Sequence, residues 1–503
     1  MDGKHKVKSF MSHLGLRLSQ FFVLIGHGFK KAYQALIQAL KDIWHDFYHG
    51  SIFVKLSFLF LGLGSFRRKQ YAKGILLTVF QIVFILYLVF FGIEMLSKMG
   101  SLGTVEYAVY YDSILKKNIV NDYDHSFLIL LFSVMSIVFI LIYLIVALKN
   151  IRYQYNLEQK ALNNESIDTF IQGAKQFLDE KFHVTLLSLP IGGIIVFTII
   201  PLIFMFLIAF TNYDVNHQPP IKLFQWVGLR NFNTLFSFGQ SNLSFGYAFG
   251  EIMIWTLIWA FFATVLNYLG GMLLAIFINS KLIKWKKMWR TIFVITIAIP
   301  QFVTLMLIKN FFAQQGLVNQ LMIEWGVLEF LQNAGIVNSN LSAIPFLTDP
   351  VWTRTMLILI NCWIGFPYVM LITTGVLMNI PTDLYESARI DGATKFKEFT
   401  KITLPYMLFV TAPYLITSFI HNMNNFNVIY LLTYDRATSD QLLAQVDARD
   451  TDLLVTWLFR LTAEQANFKM ASVIGVVLFI VSVIFTLIAF NLTFRKGKEE
   501  TFQ

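Results

Sequence analysis

Residues 381–405 read PTDLYESARIDGATKFKEFTKITLP and stand between two long apolar runs. Thr382 is a suitable N-cap, Asp383 favours the positive end of a helix, and Gly392 is placed to end that helix in the left-handed conformation. Pro405 closes a second short helix. The apolar residues of this helix fall on one face: Phe396, Phe399 and Ile402. The segment therefore predicts a compact helix, glycine turn and helix, exposed to water between two hydrophobic segments.

The whole chain of 503 residues is rich in apolar side chains, with 56% hydrophobic and only 14% charged residues. Soluble globular proteins carry about 25% charged residues, so this composition excludes an ordinary soluble enzyme and indicates a surface that faces lipid. The single cysteine, Cys362, excludes an intramolecular disulfide. It lies inside an apolar run, which favours an inert buried thiol.

Long apolar runs recur along the chain, and a helix needs about 20 such residues to cross a bilayer. Seven runs reach that length: 75–96, 126–148, 184–210, 252–278, 288–308, 353–380 and 470–491. An eighth run, 406–426, is apolar at its start and rich in amides at its end. Trp255 and Trp259 are expected to face lipid near the membrane surface. The runs predict an all-α, polytopic membrane protein with about eight transmembrane helices.

Two shorter apolar patterns precede these runs, next to basic residues. The run 52–64 is too short to cross a bilayer and has basic neighbours at 67–69, so we expect a helix at the membrane interface. Before it, apolar residues recur at helical spacing and predict a second amphipathic surface helix. These residues are Tyr33, Leu36, Ile37, Leu40, Trp44 and Phe47. The N-terminus lacks the pattern of a removable signal peptide.

Lys and Arg are distributed unevenly between alternate loops. Of the 40 basic residues, 8 lie in one set of loops and 29 in the other, which comprises 1–74, 149–183, 280–290, 381–405 and 494–503. Basic residues collect on the cytoplasmic side of membrane proteins, so both termini are expected in the cytoplasm of a multi-pass cell-membrane protein. The same rule accounts for the net charge of +10 without a nucleic-acid partner.

The sequence lacks the motifs of an enzyme that hydrolyses nucleotides or depends on a metal. It contains no G-x-x-x-x-G-K-[ST] loop, no H-E-x-x-H pair and no G-x-S-x-G elbow. We therefore expect no catalytic residue, no metal and no cofactor in this chain. Charged residues are nearly absent from the centres of the spans, which disfavours a carrier driven by protons or sodium ions.

The segment 381–405 also carries a sequence motif. E-x-A-x-x-D-G-A is followed by I-x-L-P, with nine residues between the glycine and the isoleucine. This pattern resembles the EAA motif of permease subunits of binding-protein-dependent ABC importers, whose loop docks into a cleft of a cytoplasmic ATPase. The resemblance implies that Glu386 faces a basic group of the ATPase and that Ser387 harmlessly replaces an alanine. The implied ATPase-coupling residues are Glu386, Ala388, Asp391, Gly392, Ala393, Ile402, Leu404 and Pro405.

Over roughly residues 184–495 the chain is similar to the larger, MalF-like permeases of maltose and maltodextrin importers, which have a MetI-like core. The matching stretches are NCWIGFPY (361–368), SFIHNMNNF (418–426) and TDLLV (451–455). The loop 211–250 is short where the enterobacterial form has a folded domain, which implies a Gram-positive relative. The implied organisation is a basic amphipathic region (1–74), two accessory transmembrane helices (75–148), a cytoplasmic linker (149–183), the permease core (184–495) and a cytoplasmic tail (496–503).

Uncharged polar residues form one stripe on each of two spans. The stripes comprise Asn361, Ile364, Gly365 and Tyr368 on one span and Ser418, His421, Asn422 and Asn425 on the other. Spacings of three and four place each set on one helical face. Such residues can bind a neutral sugar, or they can join helices by hydrogen bonds worth about 0.6 kcal/mol each. The resemblance implies that all eight contact sugar, with His421 standing where the family usually has Phe.

These observations predict a permease subunit that forms half of a heterodimeric pore with a second, MalG-like permease. The resemblance implies that a separate ATPase dimer uses ATP to drive alternating access, and that an extracellular, lipid-anchored binding protein delivers a maltodextrin-like sugar. Two alternatives remain open. One is an ABC permease for another solute, such as another oligosaccharide or a glycerol phosphate, although an anion calls for Arg or Lys in the cavity. The other is an ion-coupled secondary carrier.

Overall fold

The computed structural model describes most of the chain between residues 28 and 493. The described residues are 28, 30–31, 33–166, 171–172, 175, 178–180, 182–237, 243–280, 282–436 and 438–493. The predicted tail at 496–503, the first 27 residues and parts of the predicted linker lie outside them. The chain divides into two compact units, Met1–Asn231 and Phe232–Gln503. The predicted division into functional regions stays a prediction.

Helices form most of the first unit. They are α1 (33–49), α2 (Ile52–Leu59), α3 (Leu63–Arg67), α4 (Tyr71–Tyr87), α5 (Ile93–Lys98), α6 (Ser126–Leu162), α7 (Phe182–Ile194) and α8 (Ile200–Ile208). A π-helical turn continues α4 into α5, and another continues α7 into α8, so each pair runs as one apolar span. An antiparallel hairpin pairs β1 (Val109–Asp112) with β2 (Lys117–Val120).

The apolar run 52–64, expected as one helix, forms the two helices α2 and α3. The break between them frees backbone groups, and amides from two spans bind these groups. Gln81 Oε1 accepts a hydrogen bond from the Leu61 N–H at 2.9 Å, and Asn150 Nδ2 donates to the Leu61 carbonyl at 2.9 Å. These partners lie far away in the sequence, so the local pattern did not reveal the break. The location of this run at the membrane interface stays a prediction.

From Arg230 onward the described chain consists of helices and connecting loops. The helices are α9 (Arg230–Phe236), α10 (Leu243–Asn279), α11 (Lys286–Ala298), α12 (Gln301–Phe311), α13 (Leu317–Glu324), α14 (Val327–Asn333), α15 (Pro350–Met378), α16 (Thr382–Ile390), α17 (Lys395–Glu398), α18 (Leu404–Met423), α19 (Phe426–Thr433), α20 (Gln441–Ala444), α21 (Leu454–Ala463) and α22 (Phe468–Thr493). A π-helical turn, Phe399–Thr403, joins α17 to α18.

Seven helices in the described part of the chain are long and apolar enough to cross a membrane, and one bent helix pair raises the number to eight. The predicted all-α polytopic architecture is therefore confirmed. The bent pair is α11 and α12, which correspond to the run 288–308 that we expected as one span. They differ in direction by 92°, because Pro300 has no backbone N–H and holds Ile299 in an extended conformation.

α10 packs against α15, α18, α20 and α21. Its two tryptophans, expected to face lipid, are instead buried: Trp255 is 4% exposed and Trp259 is 0% exposed. Their indole N–H groups donate to the carbonyls of Thr451 at 3.2 Å and of Asn422 at 3.0 Å. The expectation of lipid-facing tryptophans was wrong because several helices surround α10, which the sequence of one span does not reveal.

Candidate functional site

A polar cavity of about 430 Å³ lies among α10, α12, α15 and α18. Small-molecule sites commonly have volumes of about 300–1,000 Å³. The cavity is lined by all eight residues of the two predicted stripes: Asn361, Ile364, Gly365, Tyr368, Ser418, His421, Asn422 and Asn425. Four further residues line it: Asn267, Gln301, Tyr414 and Thr417. The structure thus brings the predicted residues together, and their binding of sugar stays a prediction.

α15 forms one wall of the cavity. The helix starts at a good cap, because the Asp349 carboxylate accepts hydrogen bonds from the backbone N–H groups of Val351 and Trp352 at 2.9 and 3.1 Å. Pro367 lies inside the helix beside the cavity and cannot donate to the carbonyl four residues earlier. The polar stripe of this long, well-capped helix therefore lies next to a position where one backbone hydrogen bond is missing.

The end of α18 forms the opposite wall and is fixed by the same amides that line the cavity. Asn422 Nδ2 donates to Thr264 Oγ1 of α10 at 3.0 Å. Asn425 caps α19 by accepting from the Val428 N–H at 3.3 Å, and its Nδ2 lies 3.5 Å from Asn361 Oδ1. These amides thus do form the hydrogen bonds between helices that the sequence analysis gave as their alternative role. These bonds leave each amide with further hydrogen-bonding capacity toward the cavity.

The cavity is open on one side of this subunit. Tyr368 is 52% exposed, and the side chains of Thr417 and His421 are also exposed. The rings of Tyr368 and Tyr414 lie 6.2 Å apart at an angle of 47°, so they offer two aromatic surfaces in different orientations. The open side exposes polar and aromatic groups together, which is the combination that recognises a ligand with hydroxyl groups and C–H faces.

The spacing of polar residues missed four side chains of the cavity. Asn267 is an isolated polar residue within an apolar run, and Gln301 follows the bend at Pro300. Thr417 stands next to Ser418 and four residues before His421, so it belongs to the same helical face as the predicted stripe. Tyr414 lies four residues before Ser418 on the predicted stripe, so extending that stripe by one turn finds it. Asn267 and Gln301 require knowledge of which helices are neighbours.

The described lining of the cavity is uncharged, since it contains no Asp, Glu, Lys or Arg. Amide and hydroxyl groups can donate and accept hydrogen bonds from a polar, neutral molecule. An anionic ligand would leave its charge without a partner there. Within the part of the chain that the structure describes, no group of three His, Cys, Asp or Glu residues could hold a metal ion. The arrangement suits a neutral polyhydroxylated ligand.

The predicted helix, glycine turn and helix at 381–405, which we call the coupling loop, begins with α16. α16 ends in a left-handed turn, with Gly392 at φ +75°. The Gly392 N–H donates to the Arg389 carbonyl at 3.1 Å, and the Ala393 N–H donates to the Ala388 carbonyl at 2.8 Å. This is a Schellman motif, which favours glycine at the left-handed position. The predicted left-handed turn at Gly392 is confirmed. The N-cap is Pro381 and not Thr382, which is already helical.

The second half of the coupling loop differs from the prediction. Pro405 does not close a short helix, because α17 continues through the π-helical turn into α18. The Leu404 N–H bonds to the Phe399 carbonyl, five residues back. Pro405 follows this wider turn and lies in the first turn of α18. At that position the missing N–H and the ring of proline are tolerated. The coupling loop is therefore continuous with a helix that lines the cavity.

A buried carboxylate joins the two halves of the coupling loop. Glu398 is 6% exposed, and it accepts hydrogen bonds from Arg389 Nε at 2.9 Å and from Lys395 Nζ at 3.3 Å. The hydroxyl groups of Tyr385 and Thr403 lie 2.9 Å apart and add a second link between the same helices. These contacts fix α16 against the start of the helix that runs toward the cavity. The EAA pattern does not include Glu398, so the sequence analysis missed it.

The remaining coupling residues lie around this loop. Glu386, Asp391 and Gly392 are exposed to solvent, whereas the others are partly buried: Ala388, Ala393, Ile402, Leu404 and Pro405. Phe396, expected on a shared apolar face, is instead 74% exposed, and Ile390 is 86% exposed. Two large apolar side chains thus protrude from the same loop that exposes Glu386. The predicted ATPase contact of these residues stays a prediction.

The fold and the site define a membrane protein with a polar cavity between its spans and a structured loop outside them, which is the construction of a permease. The family described as binding-protein-dependent transport system inner membrane component matches residues 267–497. The maltodextrin transport system permease protein MdxF of Bacillus subtilis (strain 168) is 34% identical over 443 residues, which cover 87% of this chain and 95% of that protein. The chain belongs to the family of binding-protein-dependent transport system inner membrane components, the permease subunits of ABC importers.

Two further similarities extend this result. The galactooligosaccharides transport system permease protein GanP of Bacillus subtilis (strain 168) is 32% identical over 441 residues, which cover 87% of this chain and 96% of that protein. The crystal structure of a bacterial ABC transporter involved in the import of the acidic polysaccharide alginate matches 65% of this chain and 99% of its own, with a TM-score of 0.50 and 24% identity. This last similarity supports the fold alone. The predicted resemblance to maltodextrin permeases is confirmed.

Proposed function

We propose that this permease carries neutral oligosaccharides of the maltodextrin class into the cell. The observation that carries the proposal is the uncharged cavity between α15 and α18. Its amide and hydroxyl groups complement sugar hydroxyls, and its two tyrosine rings complement the C–H faces of pyranose rings. The relative MdxF, similar to this chain over nearly its whole length, is named a maltodextrin permease.

The coupling loop is the proposed contact with a separate ATPase dimer, which binds and uses the ATP. Its support is the combination of a buried carboxylate that joins the two halves of the loop with large apolar side chains and a carboxylate that are exposed on the same loop. Ile390 and Phe396 protrude, and Glu386 is exposed on the same loop. Apolar anchors surrounded by polar groups are typical of protein interfaces. Motion of the ATPase then reaches the cavity through α18, which continues from the loop.

Two further proposed partners are supported by the open side of the cavity and by the orientation of the chain. A second permease covers the exposed wall at Tyr368 and His421 and completes the pore. An extracellular, lipid-anchored binding protein delivers the sugar on the side opposite the coupling loop. The coupling loop and both termini lie in the cytoplasm, because 29 of the 40 basic residues are in the segments on that side.

A galactooligosaccharide is the second candidate substrate. GanP, named for such sugars, resembles this chain over as large a share of both proteins as MdxF does. His421 stands in the cavity where maltose permeases usually have Phe, which exchanges an aromatic hydrocarbon surface for a ring with hydrogen-bonding nitrogen atoms. A glycerol phosphate is disfavoured, since the described lining of the cavity contains no Lys or Arg.

Competition for uptake tests the substrate class. Cells that lack this gene, with and without a plasmid copy, are given radiolabelled maltotriose and a tenfold excess of one unlabelled competitor. We expect uptake only with the plasmid, and strong competition by maltodextrins but not by a glycerol phosphate. Stronger competition by a galactotriose than by maltotriose would favour the second candidate. Equal uptake in both strains would contradict a role of this chain in maltodextrin import.

A further inference from the structure

Asn267 is a polar residue of the cavity that belongs to α10 and to neither predicted stripe. Its side-chain oxygen, Oδ1, is buried and has no hydrogen-bond partner among the residues that the structure describes. The polar residues on either side of it along α10 are paired: Thr264 accepts from Asn422, and the Tyr268 hydroxyl lies 2.8 Å from Thr411 Oγ1. A buried acceptor without a partner is unfavourable and uncommon. The neighbouring polar side chains of α10 are hydrogen-bonded, whereas the Asn267 side-chain oxygen is not bonded to any described residue.

Gly365 of α15 faces Asn267 directly. A Cβ atom added at Gly365 would overlap the Asn267 amide, with distances of 2.6 Å to Cγ and to Oδ1. Real Cβ atoms do not approach other atoms so closely, so the amide would have to move. Gly375 lies further along α15, and a Cβ atom added there would meet no described atom within 4 Å. The absence of a side chain at position 365 is therefore what allows the Asn267 amide to occupy the wall of the cavity.

We infer that Asn267 binds a hydroxyl group of the transported sugar, and that Gly365 serves the site by admitting this amide from α10. Rotation about χ2 turns Oδ1 toward the cavity, where a sugar hydroxyl supplies the missing hydrogen bond. Gly365 itself also lines the cavity, and its part in this inference is the space that it leaves for the Asn267 amide. The inference rests on the proposed function, because it assigns a further residue to the same sugar site.

A double-mutant cycle in the complete reconstituted transporter tests this inference. The variants are N267A, G365A and the double variant, with G375A as the control on the same helix. The kinetics of ATP-dependent maltotriose uptake give KM and kcat for each. We expect N267A and G365A each to raise KM about tenfold, which corresponds to about 1.4 kcal/mol. In the N267A background, G365A should raise KM less than twofold, because no amide remains to be displaced. G375A should leave KM unchanged.

Monodeoxy analogues of maltotriose give a second readout that a packing defect would not alter. The wild-type transporter should discriminate against at least one analogue, and N267A should lose that discrimination while keeping the others. If N267A assembles poorly, as shown by size-exclusion chromatography, Asn267→Ser replaces it in the same cycle. An unchanged KM in N267A, or full additivity of the two substitutions, would overturn the inference. Absence of sugar uptake by the wild-type transporter would instead contradict the proposed function itself.

Discussion

Individual residues of the cavity combine a structural role with a place in the cavity lining. Asn422 supports α18 through Thr264, and Asn425 caps α19, yet both side chains also line the cavity. Loss of either amide would therefore weaken the fold and the site together. His421 is different, because its side chain is exposed at the open side of the cavity. It can be changed with little effect on packing within this subunit, which makes it the better probe of sugar preference.

Replacing His421 by Phe introduces the hydrocarbon aromatic ring that the resemblance to maltose permeases implies at this position. A stacked aromatic ring is worth about 0.5–1.5 kcal/mol, so H421F should increase the ratio of kcat/KM for maltotriose to that for a galactotriose by up to about tenfold. Uptake kinetics with both labelled sugars measure this ratio. Asn424→Ala is the control, since Asn424 is exposed nearby and does not line the cavity. An unchanged ratio in H421F would show that position 421 does not select the sugar.

At the scale of elements, the coupling loop and α18 form one mechanical unit. α17 passes through a π-helical turn into α18 without a break, and Glu398 fixes α16 to the start of this helix. A force on the exposed tip at Ile390 and Phe396 is thus transmitted along the helix that lines the cavity. The π-helical turn is the point where such a helix can bend, because its hydrogen bonds are already displaced by one residue.

Gly392→Pro should abolish ATP-driven uptake and leave the assembled permease intact. Proline fixes φ near −65°, which is incompatible with the left-handed turn, and removes the N–H that donates to Arg389. Co-purification of the ATPase and uptake of maltotriose are the two measurements. Gly392→Asn is the matched control, because asparagine tolerates the left-handed conformation, and it should retain most activity. Normal uptake by G392P would refute the role of this turn.

Glu398→Gln should weaken transport more than ATPase docking. Hydrogen bonds to a charged group are stronger than those to a neutral one, and the amide retains only part of the interaction with Arg389 and Lys395. We expect about a tenfold fall in sugar transported per ATP hydrolysed. The exchange of charges, Arg389→Glu with Glu398→Arg, should recover part of the ratio that each single change loses. A wild-type ratio in E398Q would show that the ion pair does not stiffen the loop.

At the scale of the whole molecule, the sequence predicted what depends on local patterns. The spans follow from run length, and the turn at Gly392 follows from the residue that the left-handed conformation favours. The bend at Pro300 was missed, because hydropathy reports how apolar a segment is and carries no information on the direction of its helix. The burial of Trp255 and the entry of Asn267 into the cavity were missed for a related reason. Both depend on which helix packs beside α10, and no pattern within one span contains that information.

ATP-driven accumulation of maltotriose in proteoliposomes tests the central claim most directly. The liposomes contain this permease, its partner permease and the ATPase, with ATP enclosed on the side of the coupling loop and the binding protein outside. We predict saturable accumulation of labelled maltotriose above its external concentration, which requires ATP and is lost when this chain carries G392P. Accumulation without ATP or without the ATPase subunit would contradict the account and establish a secondary carrier.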